Sequence, residues 1–171
     1  MFTNGVKEMA KEVVIKEYSR KYQEEVLELI LNIQQKEYGV AITKEDQPDL
    51  LKIEEFYQTG NGNFWVALSG DRVVGTIALL DIKNGQTALR KMFVAKEFRG
   101  KVNQTASLLL NKLFDWGNVK AVTEIFLGTT PQFLAAHRFY EKNGFQEINS
   151  TELPESFPIL AVDKKFYRYS S

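Results

Sequence analysis

One succession of segments limits the fold of this chain more than any other feature: a strand, a loop, a helix and a second strand between Thr87 and Gly128. The runs "TALRKMFV" and "TEIFLG" are rich in residues that favour strands. Between them, apolar residues recur at steps of three and four and predict a helix from about Gln104 to Gly117: Ala106, Leu109, Leu110, Leu113 and Trp116. A helix that connects two strands in this way makes those strands parallel.

Two further strands before this crossover are expected to be antiparallel. The run "FWVAL" is followed by the turn Ser69-Gly70-Asp71, and "RVVGTIALLDI" is followed by Asn84-Gly85. Asn-Gly favours a type I′ hairpin, because both central residues of that turn need a positive φ. We therefore predict an α/β fold with a mixed sheet (α+β), mostly antiparallel, that contains one parallel β-α-β crossover.

The remaining segments fit a single domain, which we expect to span residues 1–171. A short strand from Val13 precedes a helix from about Tyr22 to Glu37, for which Ser19 is the expected cap, and a shorter helix covers Asp49 to Tyr57. After the crossover, another helix is predicted, with Thr130 as its cap, Pro131 in its first turn and Gly144 at its end. Two closing strands, "FQEI" and "DKKFYRYS", are predicted after it.

The residue inventory argues against several classes of site and partner. The chain has no cysteine and one histidine, His137, so we predict no metal site. Lys+Arg and Asp+Glu balance at 22 each, which argues against nucleic acid or an anionic membrane as a partner. No apolar run approaches the length of a membrane span, and "MFTNGVKEMAKEVVI" lacks the apolar core of a signal peptide. The expectation is a cytoplasmic protein.

The loop before the crossover helix has two interpretations. It leads into a helix N-terminus, where free N–H groups and the helix dipole favour an anion, and Arg99 and Lys101 add two cations. The stretch "FRGKVNQTASLLLNKLFDWG" nevertheless has only Gly100 in its loop, where phosphate-binding loops usually have several glycines. From these residues alone, a phosphate-binding loop and a solvated polar turn are about equally compatible.

The helix in "PQFLAAHRFYEKNGF" also has two interpretations. Phe133, Ala136, His137 and Tyr140 share one helical face, and an aromatic-rich face usually belongs to a core. Tyr140 has a chemical alternative, because a tyrosine hydroxyl that reaches a cleft can donate a proton from an ordinary pKa of about 10.

The order of these segments resembles the GNAT family of acetyl-CoA-dependent N-acetyltransferases. The likeness rests on "ALRKMFVAKEFRGK", then "LLLNKLFDW", "EIFLGTT" and "AAHRFYEKNGF", of which the last is the most specific. It runs from about Phe64 to Phe145, and the topology matches over nearly the whole chain. The resemblance implies a GNAT-like sheet in which the two parallel strands splay apart in a V.

The resemblance also implies a site for acetyl-CoA (coenzyme A) as co-substrate between those strands. Its pantetheine arm would pair with the backbone of the first strand as an added strand does, and its pyrophosphate would lie on the loop. The residues so implied are Met92, Phe93, Val94, Arg99, Gly100, Lys101, Val102, Asn103, Gln104, Thr105, Ala106, Phe133 and Lys142.

Two of these positions depart from the family pattern. Gln104 stands where the family has a glycine, and a left-handed backbone there would cost a non-glycine residue on the order of 1 kcal/mol. A slightly longer loop that avoids positive φ at Gln104 is the alternative. Phe133 stands where many members have an asparagine that contacts pantetheine, and it would instead pack on the apolar arm or line the acceptor pocket.

The implied reaction is direct transfer of an acetyl group to a primary amine of a small molecule or peptide. Tyr140 would protonate the departing thiolate, and a backbone N–H near Phe93 or Val94 would polarise the thioester carbonyl. The group that accepts the amine proton is not identified. Three carboxylates lie in the helical region that usually shapes the acceptor site: Glu37, Glu54 and Glu55.

Two other functions stay open at this point. One is a catalytically weak or inactive acetyl-CoA-binding module that acts as a sensor or interaction protein, and the other is an α/β interaction domain without a cofactor. Dimers are common in the family, so a homodimer is one expected state. The chemical identity of the acceptor is left open by the sequence.

Overall fold

The computed structural model, which describes residues 12–171, has one seven-stranded sheet with the order β1-β2-β3-β4-β5-β7-β6. The strands are β1 (Val14–Glu17), β2 (Asn63–Ser69), β3 (Arg72–Asp81), β4 (Gln86–Val94), β5 (Glu124–Thr129), β6 (Gln146–Ile148) and β7 (Lys165–Ser170). In this part of the chain, β4 and β5 are the one parallel pair. The predicted mixed sheet is confirmed. Most of the N-terminal stretch used for the signal-peptide expectation lies outside the described residues.

The helices described within residues 12–171 are α1 (Gln23–Leu31), α2 (Ile53–Tyr57), α3 (Thr105–Val119) and α4 (Leu134–Lys142). The helix predicted up to Glu37 is present, but its last part, Asn32–Glu37, is a π-helix. The helix predicted from Asp49 to Tyr57 is divided, because Lys52 has a φ of −139° between a 3₁₀ turn, Pro48–Leu51, and α2.

The turn between β3 and β4 has the conformation that its sequence predicts. Asn84 and Gly85 have φ values of 60° and 74°, and Lys83 before them is also left-handed. The two strands pair antiparallel on either side of this turn. The Asn-Gly pair therefore sets the hairpin, because these two residue types enter the left-handed region at low cost.

Two predicted helix caps are wrong. The Ser19 side chain makes no capping hydrogen bond, and the helical segment begins there as a 3₁₀ turn. Helix α4 begins at Leu134 rather than next to Thr130. The Thr130 carbonyl accepts the Phe133 N–H and contacts the ring Nε2 of His137 at 2.9 Å, so this stretch forms a tight turn before the helix starts.

Apolar side chains on both faces of the sheet hold β4 between them. On one face, α3 packs through Leu109 and Leu113, which are fully buried. On the other face, Val26 and Ile30 of α1 pack around Phe64 of β2 and are also fully buried. Burial of each such side chain stabilises the fold by roughly 1.5–3 kcal/mol. The strand that forms one side of the site is therefore rigidly supported.

The parallel strands separate after a short paired stretch. Their register runs from Gln86 opposite Glu124 to Ala88 opposite Phe126, and there it ends. Strand β4 continues to Val94 and β5 to Thr129 without pairing to each other. This is the predicted V-shaped splay, and it leaves an open backbone edge on β4.

Candidate functional site

A cavity of about 700 Å³ occupies the splay. It is lined by β4 from Leu89 to Val94, by the end of β5, by the loop before α3, by α4 and by side chains between Phe157 and Asp163. The π-helical segment Asn32–Glu37 contributes further lining residues. The volume lies in the range typical of small-molecule sites.

Most of the residues predicted for the site line this cavity. They are Met92, Phe93, Val94, Arg99, Gly100, Lys101, Gln104, Ala106, Phe133, Tyr140 and Lys142. The side chains of Val102, Asn103 and Thr105 do not. Val102 is exposed to solvent, Asn103 donates to the Glu97 carbonyl oxygen, and the buried Thr105 hydroxyl has no partner among the described residues.

The loop before α3 is left-handed at the position where the resemblance calls for glycine. Gln104, which immediately precedes α3, has φ 52° and ψ 26°, and Gly100 has φ 94°. The alternative of a longer loop that avoids positive φ at Gln104 is therefore wrong. The loop has the left-handed turn that glycine would allow, and a glutamine adopts it. The Gln104 side chain makes no capping hydrogen bond to the helix.

Arg99 is held by contacts within the protein. Its Nε donates to the Val94 carbonyl oxygen at 2.8 Å, and its guanidinium pairs with the Glu37 carboxylate, donating from Nη2 to Oε1 at 2.8 Å. The Arg99 hydrogen bond lowers the pKa of Glu37 below its usual range. Glu37 is thus engaged as an ion-pair partner, which makes it a poor proton acceptor. An anion on the loop would have to share Arg99 with Glu37.

Tyr140 lies near the C-terminal end of α4. Its ring belongs to the core and also lines the cavity. Its ring packs near those of Phe139, Phe145 and Tyr167. Burial raises the pKa of Tyr140 well above its ordinary value, so the hydroxyl is protonated at neutral pH. Among the described residues, no hydrogen bond occupies this hydroxyl, and it is free to donate to a molecule in the cavity.

Phe133 lines the cavity beside two other aromatic rings. Its centroid lies 5.0 Å from that of Tyr38 and 6.0 Å from that of Phe93, both edge-on. Thr130, in the turn just before it, also lines the cavity, and its buried hydroxyl has no hydrogen-bond partner among the described residues. Phe133 therefore supplies an apolar wall, and Thr130 offers a hydroxyl within the same short segment.

A β-bulge brings two cations into the cavity that the sequence did not predict. The β3–β4 register shifts between Thr76 and Ala78, so that Arg90 and Lys91 both line the cavity. Lys91 has a φ of 55°, and its carbonyl oxygen accepts the Thr76 hydroxyl at 2.6 Å. No local pattern in the strand indicated this bulge, although alternation that fails at Arg90-Lys91-Met92 is compatible with one.

The Lys91 ammonium belongs to a buried polar network. It contacts Oε1 of Gln47 and lies 3.6 Å from Oδ2 of Asp49, which accepts the Tyr57 hydroxyl at 2.6 Å. Lys91 is 7% exposed, and burial lowers its pKa to about 8 in spite of the nearby Asp49. Lys91 therefore keeps its proton at neutral pH but gives it up more readily than an ordinary lysine.

The other two carboxylates proposed as the base lie away from the cavity. Glu54 pairs with Arg20 at 2.7 Å, and neither Glu54 nor Glu55 lines the cavity. The acidic side chain that does line it, within residues 12–171, is Asp163. Sequence reasoning missed Asp163, which lies in the segment assigned only as the start of a closing strand.

Within residues 12–171, neither a metal-binding cluster nor a membrane-spanning helix is present. This region contains no group of three or more His, Cys, Asp or Glu side chains arranged to hold a metal ion. None of its helices combines the length and apolar character needed to cross a membrane.

The sheet order, with one parallel pair that separates beyond Ala88, is typical of acyltransferases. A solved acetyltransferase structure has the same fold. The model of the Acetyltransferase (GNAT) family matches residues 27–145, and the chain belongs to that family. The resemblance and the expectation of an acyltransferase are thereby confirmed.

The solved structures that this chain is similar to include acetyltransferases from two sources. An acetyltransferase of the GNAT family from Staphylococcus aureus is 41% identical with a TM-score of 0.90, over 93% of this chain and 99% of that one. The PaiA N-acetyltransferase from Thermoplasma acidophilum, in complex with coenzyme A, is 17% identical with a TM-score of 0.73, over 94% and 99% of the two chains. The second likeness is one of fold.

Among curated relatives, the chain is similar to N-acetylaspartate synthetase from Danio rerio. The two are 35% identical over 106 residues, which is 61% of this chain and 37% of that relative. The chain therefore matches less than half of the length of this relative.

Proposed function

We propose that the chain transfers the acetyl group of acetyl-CoA directly to a primary amine of a small molecule or peptide. The observation that carries the proposal is the cavity in the splay, which combines an open β4 edge with a cationic loop at one end and the Tyr140 hydroxyl in its lining. Both substrates would be bound together, and their proximity would supply much of the rate.

The cavity residues suit the parts of acetyl-CoA. At Met92, Phe93 and Val94, the edge of β4 that faces β5 has no ladder partner and can hydrogen-bond an extended pantetheine arm, with the Val94 carbonyl oxygen already shared with Arg99. The loop from Gly100 to Ala106 ends at the N-terminus of a 15-residue helix, where N–H groups and the helix dipole favour the pyrophosphate. Several cations line the same end: Arg99, Lys101 and Lys142.

In the reaction, the amine nitrogen forms a bond to the thioester carbonyl carbon, and the carbon–sulfur bond breaks. A backbone N–H near Phe93 or Val94 would stabilise the oxyanion. The Tyr140 hydroxyl, protonated because burial raises its pKa, would donate to the departing thiolate. The other predicted site residues act in binding.

Two observations favour amines that carry a carboxylate as the first acceptors to test. The name of the curated relative specifies acetylation of aspartate, a small amine that carries carboxylates. Two cationic residues of β4, Arg90 and Lys91, line the cavity, and cations suit a carboxylate on the acceptor. We propose a cytoplasmic enzyme that uses neither nucleic acid nor membrane as a partner, and the homodimer stays a prediction.

The test is thiol release from acetyl-CoA with a panel of amines that includes aspartate, other amino acids and peptides. Tyr140→Phe should reduce turnover about 100-fold or more while acetyl-CoA binding, measured by calorimetry, stays within about twofold. Tyr18→Phe is a matched control, because Tyr18 is also buried but lies in the other core. Acetyl-CoA binding without turnover of any amine would favour the sensor or interaction module, and unchanged turnover in Tyr140→Phe would remove its catalytic role.

A further inference from the structure

We propose that the Asp163 carboxylate binds the ammonium group of the acceptor and accepts its proton. This inference rests on the proposed acetyl transfer and adds to it the proton acceptor. A protonated amine has no lone pair with which to attack, and an alkyl ammonium group has an ordinary pKa of about 10.4, so a base is needed at neutral pH.

Backbone contacts fix Asp163 where it stands. Its Oδ2 accepts the Leu160 N–H at 3.1 Å, and its own N–H donates to the Leu160 carbonyl oxygen at 3.0 Å. The next residue, Lys164, donates its N–H to the Thr129 carbonyl oxygen at 3.0 Å. The carboxylate is therefore fixed by the Leu160 N–H, and the backbone next to it is anchored to β5 just before β7 begins. An anchored base has less orientational freedom to lose when the substrate binds.

A glycine in β5 makes room for this carboxylate. A Cβ added to Gly128 would lie 2.7 Å from Oδ2 of Asp163, closer than real contacts allow. Gly128 lies two residues beyond Phe126, the last residue of β5 that pairs with β4. Continuing that register past the split would put Gly128 opposite Arg90. Asp163 thus lies at the splay on the β5 side of the cleft, across from the bulge of β4.

No other described carboxylate has this position. Asp163 is the acidic side chain in the cavity lining within residues 12–171. Glu37 is held by Arg99, and Glu54 pairs with Arg20 outside the cavity. The other charged side chains that line the cavity within residues 12–171 are cations, which repel an acceptor ammonium group.

The surroundings of Asp163 give its carboxylate useful basicity. Burial raises its pKa, and this outweighs the opposite effects of the Leu160 N–H and of three cations that face it: Arg90 and Lys91 from β4, and Lys164 from its own segment. A base with a raised pKa accepts a proton from an ammonium group more readily than an ordinary aspartate does.

The proton balance of the reaction closes with this assignment. The acceptor ammonium gives one proton to Asp163 and becomes a neutral amine. Its nitrogen bonds to the carbonyl carbon, and the carbon–sulfur bond breaks. Tyr140 donates its proton to the departing thiolate, and the second nitrogen proton restores the Tyr140 hydroxyl. Asp163 then releases its proton to solvent. The products are the amide, the free thiol and one proton.

Asp163→Asn in the full chain tests the assignment, with the best acceptor from the panel. We expect kcat/KM at pH 7 to fall about 100-fold or more, while the Kd for acetyl-CoA changes less than twofold. The deficit should shrink as pH rises toward the pKa of the acceptor, because solvent then deprotonates the amine. A merely structural role would not produce that pH dependence. Asp71→Asn, in the exposed turn between β2 and β3, is the control and should match the wild type.

Gly128→Ala provides a second variant that keeps the carboxylate but displaces it. We expect the same loss of kcat/KM and the same recovery at high pH. A wild-type protein that releases no thiol with any amine overturns the proposed function and this inference together. An active wild type with an unaltered kcat/KM and pH profile in Asp163→Asn overturns the inference alone. A deficit that stays constant with pH also overturns it.

Discussion

Replacement of Gln104 by glycine is expected to stabilise the protein, although a glycine substitution usually has the opposite effect. Gln104 is left-handed, with φ 52° and ψ 26°, immediately before α3. Its side chain is exposed and makes no capping bond to the helix. The two local backbone bonds, from its N–H to the Gly100 carbonyl oxygen and from the Leu108 N–H to its own carbonyl oxygen, are 3.1 Å each and survive the substitution.

The magnitude follows from two opposing terms. A left-handed backbone costs an L-residue with a Cβ about 1–2 kcal/mol, and glycine removes that cost. Glycine also gives the unfolded chain more conformational freedom, which lowers the unfolding free energy by about 0.5–1 kcal/mol. The net expectation is a gain of about 0.5–1 kcal/mol in unfolding free energy, which corresponds to a rise in Tm of about 2 °C for a chain of this size.

Urea denaturation and thermal melts of the free protein measure this change. Gln132→Gly is the matched control, because Gln132 is also exposed in the turn before a helix but is not among the residues with positive φ. The control should lose about 0.5–1 kcal/mol. Equal destabilisation by both substitutions would refute the argument that Gln104 is strained.

Two further predictions concern charged groups. The Lys91 ammonium has a pKa of about 8 in the folded protein and about 10.5 in the unfolded chain, so the unfolded state binds more protons between these values and the wild type gains stability as pH rises. Relative to Lys91→Met, the wild type should gain about 1.5 kcal/mol between about pH 8 and 9.5 in denaturant melts, and a loss over this range would contradict the burial argument. Glu37→Gln should tighten acetyl-CoA binding roughly fivefold in calorimetry, because it removes a carboxylate that competes for Arg99. Weaker binding would instead show that Glu37 orients Arg99 for the ligand.

The elements around the cavity were predictable where local chemistry decides the structure. The Asn84-Gly85 turn and the helical spacing from Leu109 to Leu113 each depend on neighbouring residues. The cap at Thr130 was mispredicted, because its carbonyl is used by a turn that involves His137, and tertiary packing decides that contact.

The positions of Lys91 and Asp163 in the cavity could not be predicted in the same way. Lys91 meets Gln47 and Asp49 only after the bulge and the long connection before α2 are folded. Asp163 faces the cavity because it fits over Gly128, and a pair separated by so many residues leaves no periodic signal. The loop that lines the other end of the cavity could be predicted, because its residues from Val94 to Ala106 are consecutive in the sequence.

The early end of the β4–β5 ladder has a consequence for solvent exchange. From Leu89 to Val94, the edge of β4 that faces β5 lacks a ladder partner, while its other edge pairs with β3. Amides on the unpaired edge should take up deuterium much faster than those on the paired edge of the same strand. A molecule that lies along this edge as an eighth strand would slow that uptake. The exchange rate of half a strand would then report occupancy of the cleft without any turnover.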